Sequence, residues 1–249
     1  VVSKPNGEIL ALVSKPSFDP NLFTMGSSMQ NSQSLIAQLL TDSENQPFLN
    51  RAISGVYPPG STFKLVTAAA GLENKIIDKN FEVNDAGTVH LGDFSFSNWY
   101  FTQYGKTEGE INVVKAIKRS NDIFFYKLAE KIGVNKLSEF AEKFGLGKNT
   151  GIDLIGEEEG TVPTEKWKKE TIGENWYLGD TYHYGIGQGY LLTTPMQVNL
   201  WTQAIANGGT IHKPHLLKNS KFEIRNSKFF SHETISLIRE VNPDVVINV

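Results

Sequence analysis

One tetrapeptide of the chain has the residue types and spacing for covalent chemistry: Ser61-Thr62-Phe63-Lys64. A serine hydroxyl is a weak nucleophile until a base takes its proton. Residues three apart on a helix share a face, so the Lys64 amine can meet the Ser61 hydroxyl. Lysine becomes a base when burial disfavours its ammonium form. Ser61 follows Pro58-Pro59-Gly60 and opens an apolar run containing Phe63, Leu65, Val66, Ala68, Ala69, Ala70 and Leu72. Free N–H groups and the positive dipole end at a helix start favour an oxyanion forming beside the serine. Taken alone the tetrapeptide is a weak signal, because about one Ser-x-x-Lys arises by chance in a chain of this length. A helix-capping serine followed by a surface lysine satisfies the same residues.

Other elements must hold this turn in place. The apolar run after Ser61 is hydrophobic nearly all round, which predicts a central helix over 61–72. Val1-Val2, Lys4-Pro5-Asn6-Gly7 and Glu8 to Ser14 read as a hairpin, its second arm apolar enough for a strand covered on both faces. Residues 15–30, with Pro16, Asp19-Pro20 and Gly26, read as loop, and Ser34 to Leu40 as a short helix. Residues 84–109 read as short strands and loops. From Asn112 to Leu146 the apolar spacing predicts helices stopped at Gly133 and Gly145. A further helix opens at Thr193-Thr194-Pro195, capped by one threonine with Pro195 in its first turn, and runs to Asn207-Gly208-Gly209.

Bulk properties narrow the class. The chain has 249 residues, 39% of them hydrophobic and 20% charged, with a formal net charge of −3 and no cysteine. That is enough to bury a core and argues against global disorder. Without a basic tract, nucleic acid is a poor partner. Thiolate chemistry, disulfides and cysteine metal sites are excluded. The five histidines lack metal-ligand spacing, so neither metal nor cofactor is expected. No stretch reaches the roughly 18–20 apolar residues that span a bilayer. Trp167-Lys168-Lys169-Glu170 reads as solvated surface. Val1-Val2-Ser3 reads as mid-strand and Asp244 to Val249 as an uncapped end, so the chain is expected to be a fragment at both ends.

The surroundings of Ser61 sharpen the reading. Pro47-Phe48-Leu49-Asn50-Arg51-Ala52-Ile53 followed by Tyr57-Pro58-Pro59-Gly60-Ser61-Thr62-Phe63-Lys64 resembles the active-site segment of penicillin-binding proteins. Their fingerprint pairs Ser-x-x-Lys with a second serine motif and a later Lys-Thr-Gly. Gly7 to Ala11 with Phe18-Asp19-Pro20-Asn21 is similar to the start of that transpeptidase domain, and the resemblance runs over roughly residues 1 to 240. Ser120-Asn121-Asp122 fits the second motif, with Asp where most of the superfamily has Asn. That variant resembles the penicillin-binding protein 2 group, which builds side wall during elongation. Lys143 to Gly147, Thr150 to Leu154, Trp176 to Thr181, Gly185 to Gly189 and Thr194 to Gln197 resemble the same group. Gly185 to Gly189 lacks the ending of a phosphate loop, so nucleotide is not expected there.

The resemblance implies an α+β fold, an antiparallel sheet flanked by helices plus a helical lobe, over 1–249 as one domain (hairpin 1–14, helical and active-site lobe 30–240). It implies acyl transfer: Ser61 attacks the penultimate D-Ala of a D-Ala-D-Ala stem peptide, and β-lactams acylate the same serine. Ser120 would relay a proton between Ser61, Lys64 and the leaving amine. Asp122 would hold Lys64 or substrate and favour a charged lysine. Gly60, Gln188 and Gly189 would line the substrate cleft. A membrane anchor, action on the extracytoplasmic side of the cell membrane and a SEDS-type glycan polymerase as partner are implied for the whole protein. A serine β-lactamase or carboxypeptidase, and a non-catalytic β-lactam sensor or scaffold, remain the alternatives.

The chain departs from the family in one respect: Lys-Thr-Gly or Lys-Ser-Gly occurs nowhere in it, and Lys106-Thr107-Glu108 does not substitute. In the family that motif lies on a strand lining the cleft, and the strand supplies one of two oxyanion-hole N–H groups. Losing such a donor costs on the order of 10²–10³ in rate, and losing the strand bares a sheet edge beside the hairpin. The isolated chain is therefore expected to be poorly active and prone to aggregate.

Overall fold

The structure, a computed structural model, describes residues 1–24, 32–217 and 230–240. Gly26 of the predicted loop and the closing run Asp244 to Val249 lie outside the described residues. The chain opens with β1 (Val2–Ser3) and β2 (Ile9–Ala11), then a 3-10 turn (Pro20–Phe23) and α1 (Ser32–Thr41). A second 3-10 turn (Gly60–Phe63) leads into α2 (Lys64–Glu73), followed by β3 (Glu82–Asp85), β4 (Thr88–Leu91) and β5 (Phe94–Ser97). Then come α3 (Trp99–Tyr104), β6 (Gly109–Asn112), α4 (Val113–Arg119), α5 (Asp122–Ile132) and α6 (Val134–Lys143). The remainder is helical: α7 (Glu165–Thr171), α8 (Leu178–Gly185), α9 (Pro195–Ala206) and α10 (His232–Arg239).

The architecture is α+β. Among the described residues the strands form separate antiparallel pairs, β1 with β2, β3 with β6 and β4 with β5. The core lies among the helices. As its sequence requires, α2 buries Val66, Thr67, Ala68, Ala69, Ala70 and Gly71. Its small residues let α5 approach: a Cβ on Gly71 would stand 2.8 Å from a Leu128 methyl. α5, α6, α9 and α10 complete one cluster around Phe124, Phe125, Leu137, Phe144, Trp201 and Ile235. Turn chemistry marks some of the helix ends. Thr194 caps α9 in a reciprocal box with Gln197, with Pro195 in its first turn, and Gly133 ends α5.

Several expectations need correction. The second arm of the hairpin is not covered on both faces. Ile9 is buried, whereas Leu10 is 56% and Val13 68% exposed, because among the described residues no layer packs over that outer face. The stretch 84–109 contains a helix, α3, whose six residues bury none of their side chains and so leave no periodic signature. Lys168 is not solvated surface. It is 2% exposed, its ammonium on Asp180 at 2.7 Å and 4.9 and 5.3 Å from the ring centres of Tyr177 and Tyr190. A helix turns one residue inward in every three or four, and in α7 that residue is the lysine.

Candidate active site

Two prolines and a glycine set the entry to Ser61. Tyr57 exchanges backbone hydrogen bonds with Thr193, both at 2.9 Å, and the Gly60 N–H donates to the Gly187 carbonyl at 2.8 Å. Gly60 and Gly187 both have left-handed backbone, φ 59° and 74°. A Cβ on Gly187 would stand 2.2 Å from the Gly60 carbonyl oxygen, so only glycine permits this approach. The helix predicted from Ser61 therefore begins as a 3-10 turn and becomes α-helical at Lys64. Between the two, Phe63 is fully buried, stacked on Tyr184 with centroids 5.5 Å apart and edge-on to Trp201 at 6.2 Å. Thr67 donates to the Gly185 carbonyl at 2.9 Å. The turn is pinned from below, and Ser61 faces outward, exposed.

The second segment arrives from α4. Asn121 N–H bonds to the Ala116 carbonyl at 2.9 Å and Ser120 N–H to the Ile117 carbonyl at 3.0 Å. This double closure places Ser120 in the left-handed region, φ 50° and ψ 42°. Glycine ordinarily fills that position, and a side chain there costs about 1–2 kcal/mol. Asn121 then caps α5 by accepting from Phe124 N–H at 2.9 Å, and Asp122 opens the helix.

These segments converge on Lys64, which is 2% exposed. Its ammonium donates to Asp122 Oδ1 at 2.6 Å, the Ser120 carbonyl at 2.7 Å and Ser120 Oγ at 3.1 Å. Those bonds use all three N–H donors of the charged amine. Burial pulls the Lys64 pKa down, and the charge and hydrogen bond of Asp122 pull it up; burial wins, leaving it below the ordinary lysine value. The Lys64 backbone N–H donates to the Ser61 carbonyl, but no side-chain hydrogen bond joins the two, and the Ser61 hydroxyl has no hydrogen-bond partner among the described residues. Thus Lys64, Ser120 and Asp122 are brought into direct contact, with Ser61 one 3-10 turn away. Gly60 and the exposed Gln188 adjoin Ser61; a Cβ on Gly60 would stand 3.4 Å from the Gln188 amide nitrogen. Gly189 lies farther along that loop, against His183.

The sequence reading missed two neighbours. The Trp99 N–H donates to Asp122 Oδ2 at 3.0 Å, and Asn98 Oδ1 accepts from the Asp122 N–H at 3.2 Å. Their signal, an Asn-Trp pair among turn residues, had no periodicity to expose it. A cavity of about 680 Å³ lies at the other end of α2, between Leu72–Phe81 and α10, away from Ser61.

The family profile described as "Penicillin binding protein transpeptidase domain" matches residues 1–246. The chain belongs to the penicillin-binding protein transpeptidase family. Over 227 residues this transpeptidase domain is 41% identical to the peptidoglycan D,D-transpeptidase MrdA of Acinetobacter baumannii, covering 89% of this chain and 32% of that protein. The chain thus spans about a third of the length of the curated relatives it matches. PBP2 of Helicobacter pylori, solved in complex with MreC, is 34% identical with a TM-score of 0.85, over 95% of this chain and 43% of that one. PBP2 of Pseudomonas aeruginosa, solved in complex with WCK 5153, is 34% identical with a TM-score of 0.82, over 96% of this chain and 55% of that one. The relatives therefore fall in the penicillin-binding protein 2 group that the Ser-x-Asp variant suggested.

Proposed function

We propose that the protein is a peptidoglycan D,D-transpeptidase of the elongation type, with Ser61 as its nucleophile. The observation that carries this reading is the buried Lys64 amine, held by Ser120 and Asp122 beneath an exposed serine. In the ammonium form every Lys64 N–H is engaged. Loss of one proton frees a lone pair, and the depressed pKa raises the fraction in that state. Neutral Lys64 takes the Ser61 proton as Ser61 Oγ bonds to the penultimate D-Ala carbonyl carbon. The carbon–nitrogen bond to the terminal D-Ala then breaks, and its amine leaves with a proton passed through Ser120. An amine from a neighbouring stem attacks the ester, forms the cross-link and returns the proton to Ser61. Gly60, Gln188 and Gly189 border the substrate groove.

β-Lactams acylate the same serine. In the complete gene product the domain works on the extracytoplasmic side of the cell membrane, beside a SEDS-type polymerase. The similarity to MrdA and to PBP2 chains supports that assignment. Among the described residues no helix is long and apolar enough to cross a membrane.

Fluorescent penicillin tests the reading on the complete gene product. A stable adduct that disappears in Ser61→Ala is the expected result. Rapid release of label would point to a β-lactamase, and absence of any adduct would leave a scaffold.

A further inference from the structure

Asp85, at the end of β3, is 1% exposed and pairs with no cation among the described residues. It is satisfied entirely by N–H groups. Oδ1 accepts from the Gly87 N–H at 2.7 Å. Oδ2 accepts from the side-chain amides of Asn98 at 2.8 Å and Asn121 at 2.7 Å, and from the Glu108 N–H at 3.3 Å. Four donors and no acceptor face it, the environment of an acceptor-only carboxylate. A buried charge without a counter-ion persists where such donors are fixed.

Both side-chain amides lead to the site. Asn98 is buried, and with its amide nitrogen on Asp85 its oxygen is fixed to accept from the Asp122 N–H. Asn121 is fully buried, and with its nitrogen on Asp85 its oxygen caps α5 through Phe124 N–H. Asp85 also orients each amide: a carboxylate accepts only, so each asparagine must present nitrogen to it and oxygen to the backbone. The peptide between Ser120 and Asp122 is thereby held from both sides, and with it the carbonyl, hydroxyl and carboxylate that bind Lys64.

We infer that Asp85 is a positioning residue for the acyl-transfer site: it acts through Asn98 and Asn121 to fix the Ser120–Asp122 segment against Lys64. This rests on the proposed function for its kinetic consequence, though not for its geometry. Asp85→Asn keeps the shape but sets an amide NH₂ against at least one existing donor in either flip. Asn98→Ala is the milder second variant, leaving Asp85 its other three donors. Thr88→Ala, which removes a hydroxyl contact to Ser97 in the neighbouring β4–β5 hairpin, is the structural control.

The experiment measures penicillin acylation by the complete gene product, separating the acylation rate constant from the preceding binding constant. Amide hydrogen exchange and melting temperature are followed alongside. The expected result is an acylation constant lowered on the order of ten- to a hundredfold in Asp85→Asn and Asn98→Ala. Binding stays near wild type, exchange quickens at Trp99, Asp122 and Phe124, and Thr88→Ala changes none of these. Unchanged acylation in both variants would overturn the inference. So would a joint loss of binding and acylation matched by a control of equal melting temperature. If the wild-type protein itself forms no Ser61-dependent adduct, the proposed function fails. The exchange data then decide the positioning role alone: quickened exchange at those amides upholds it, and unchanged exchange rejects it.

Discussion

At the residue scale the site depends on the balance of forces on one amine. Burial lowers the Lys64 pKa and Asp122 raises it. Asp122→Asn keeps a hydrogen-bond acceptor but removes the charge, so Lys64 falls further. If neutral Lys64 is the base, acylation rises with pH through the Lys64 pKa. The rising limb of the pH–rate profile should therefore move to lower pH in Asp122→Asn. A limb that stays put or moves to higher pH would remove Lys64 as the base. The same depression acts on stability: between the lowered folded value and the ordinary 10.5 the unfolded chain binds more protons, so the Lys64 contribution favours folding increasingly as pH rises. The residues gathered around Lys64 were legible because Ser-x-x-Lys and Ser-x-Asp are short local patterns. Asp85 and Asn98 were not, since isolated Asp and Asn look the same in a turn as in a buried network.

At the element scale the site is assembled by close backbone approach. The turn after α8 lies on the turn before α2 because Gly187 has no side chain. Gly187→Ala should lower stability by about 2 kcal/mol or more, from the left-handed backbone and the contact with Gly60 together. It should also slow penicillin labelling, because Gly60 directly precedes Ser61. Melting and labelling curves equal to wild type would show that the two turns can part without consequence. Elements with strong local codes were foreseen: a threonine cap before Pro195, which the structure gives to Thr194, the stop at Gly133, the apolar α2 and the helices between Asn112 and Leu146. α3, α7, α8 and α10 were not foreseen; α3 and α7 are short and sit on the surface, where tertiary contacts and not hydrophobic period decide the conformation. The hairpin was placed correctly but its burial was not, since apolar residues commonly remain on a folded surface.

At the scale of the whole molecule, the groups around Ser61 come from stretches near residues 57–64, 120–122, 185–188 and 193. All are seated on one helical cluster through Phe63, Phe124, Tyr184 and Leu191. No partly folded form that lacks this cluster can hold Lys64 against Asp122. Heating should therefore abolish penicillin labelling and far-ultraviolet helical signal in the same transition; an earlier, separate loss of labelling would mean that the site is softer than the core beneath it. Ser120 stands apart from that harmony, a hydroxyl-bearing residue in a helix ending that favours glycine. Variant libraries sorted for heat resistance and for antibiotic capture should be drawn in opposite directions at this one codon.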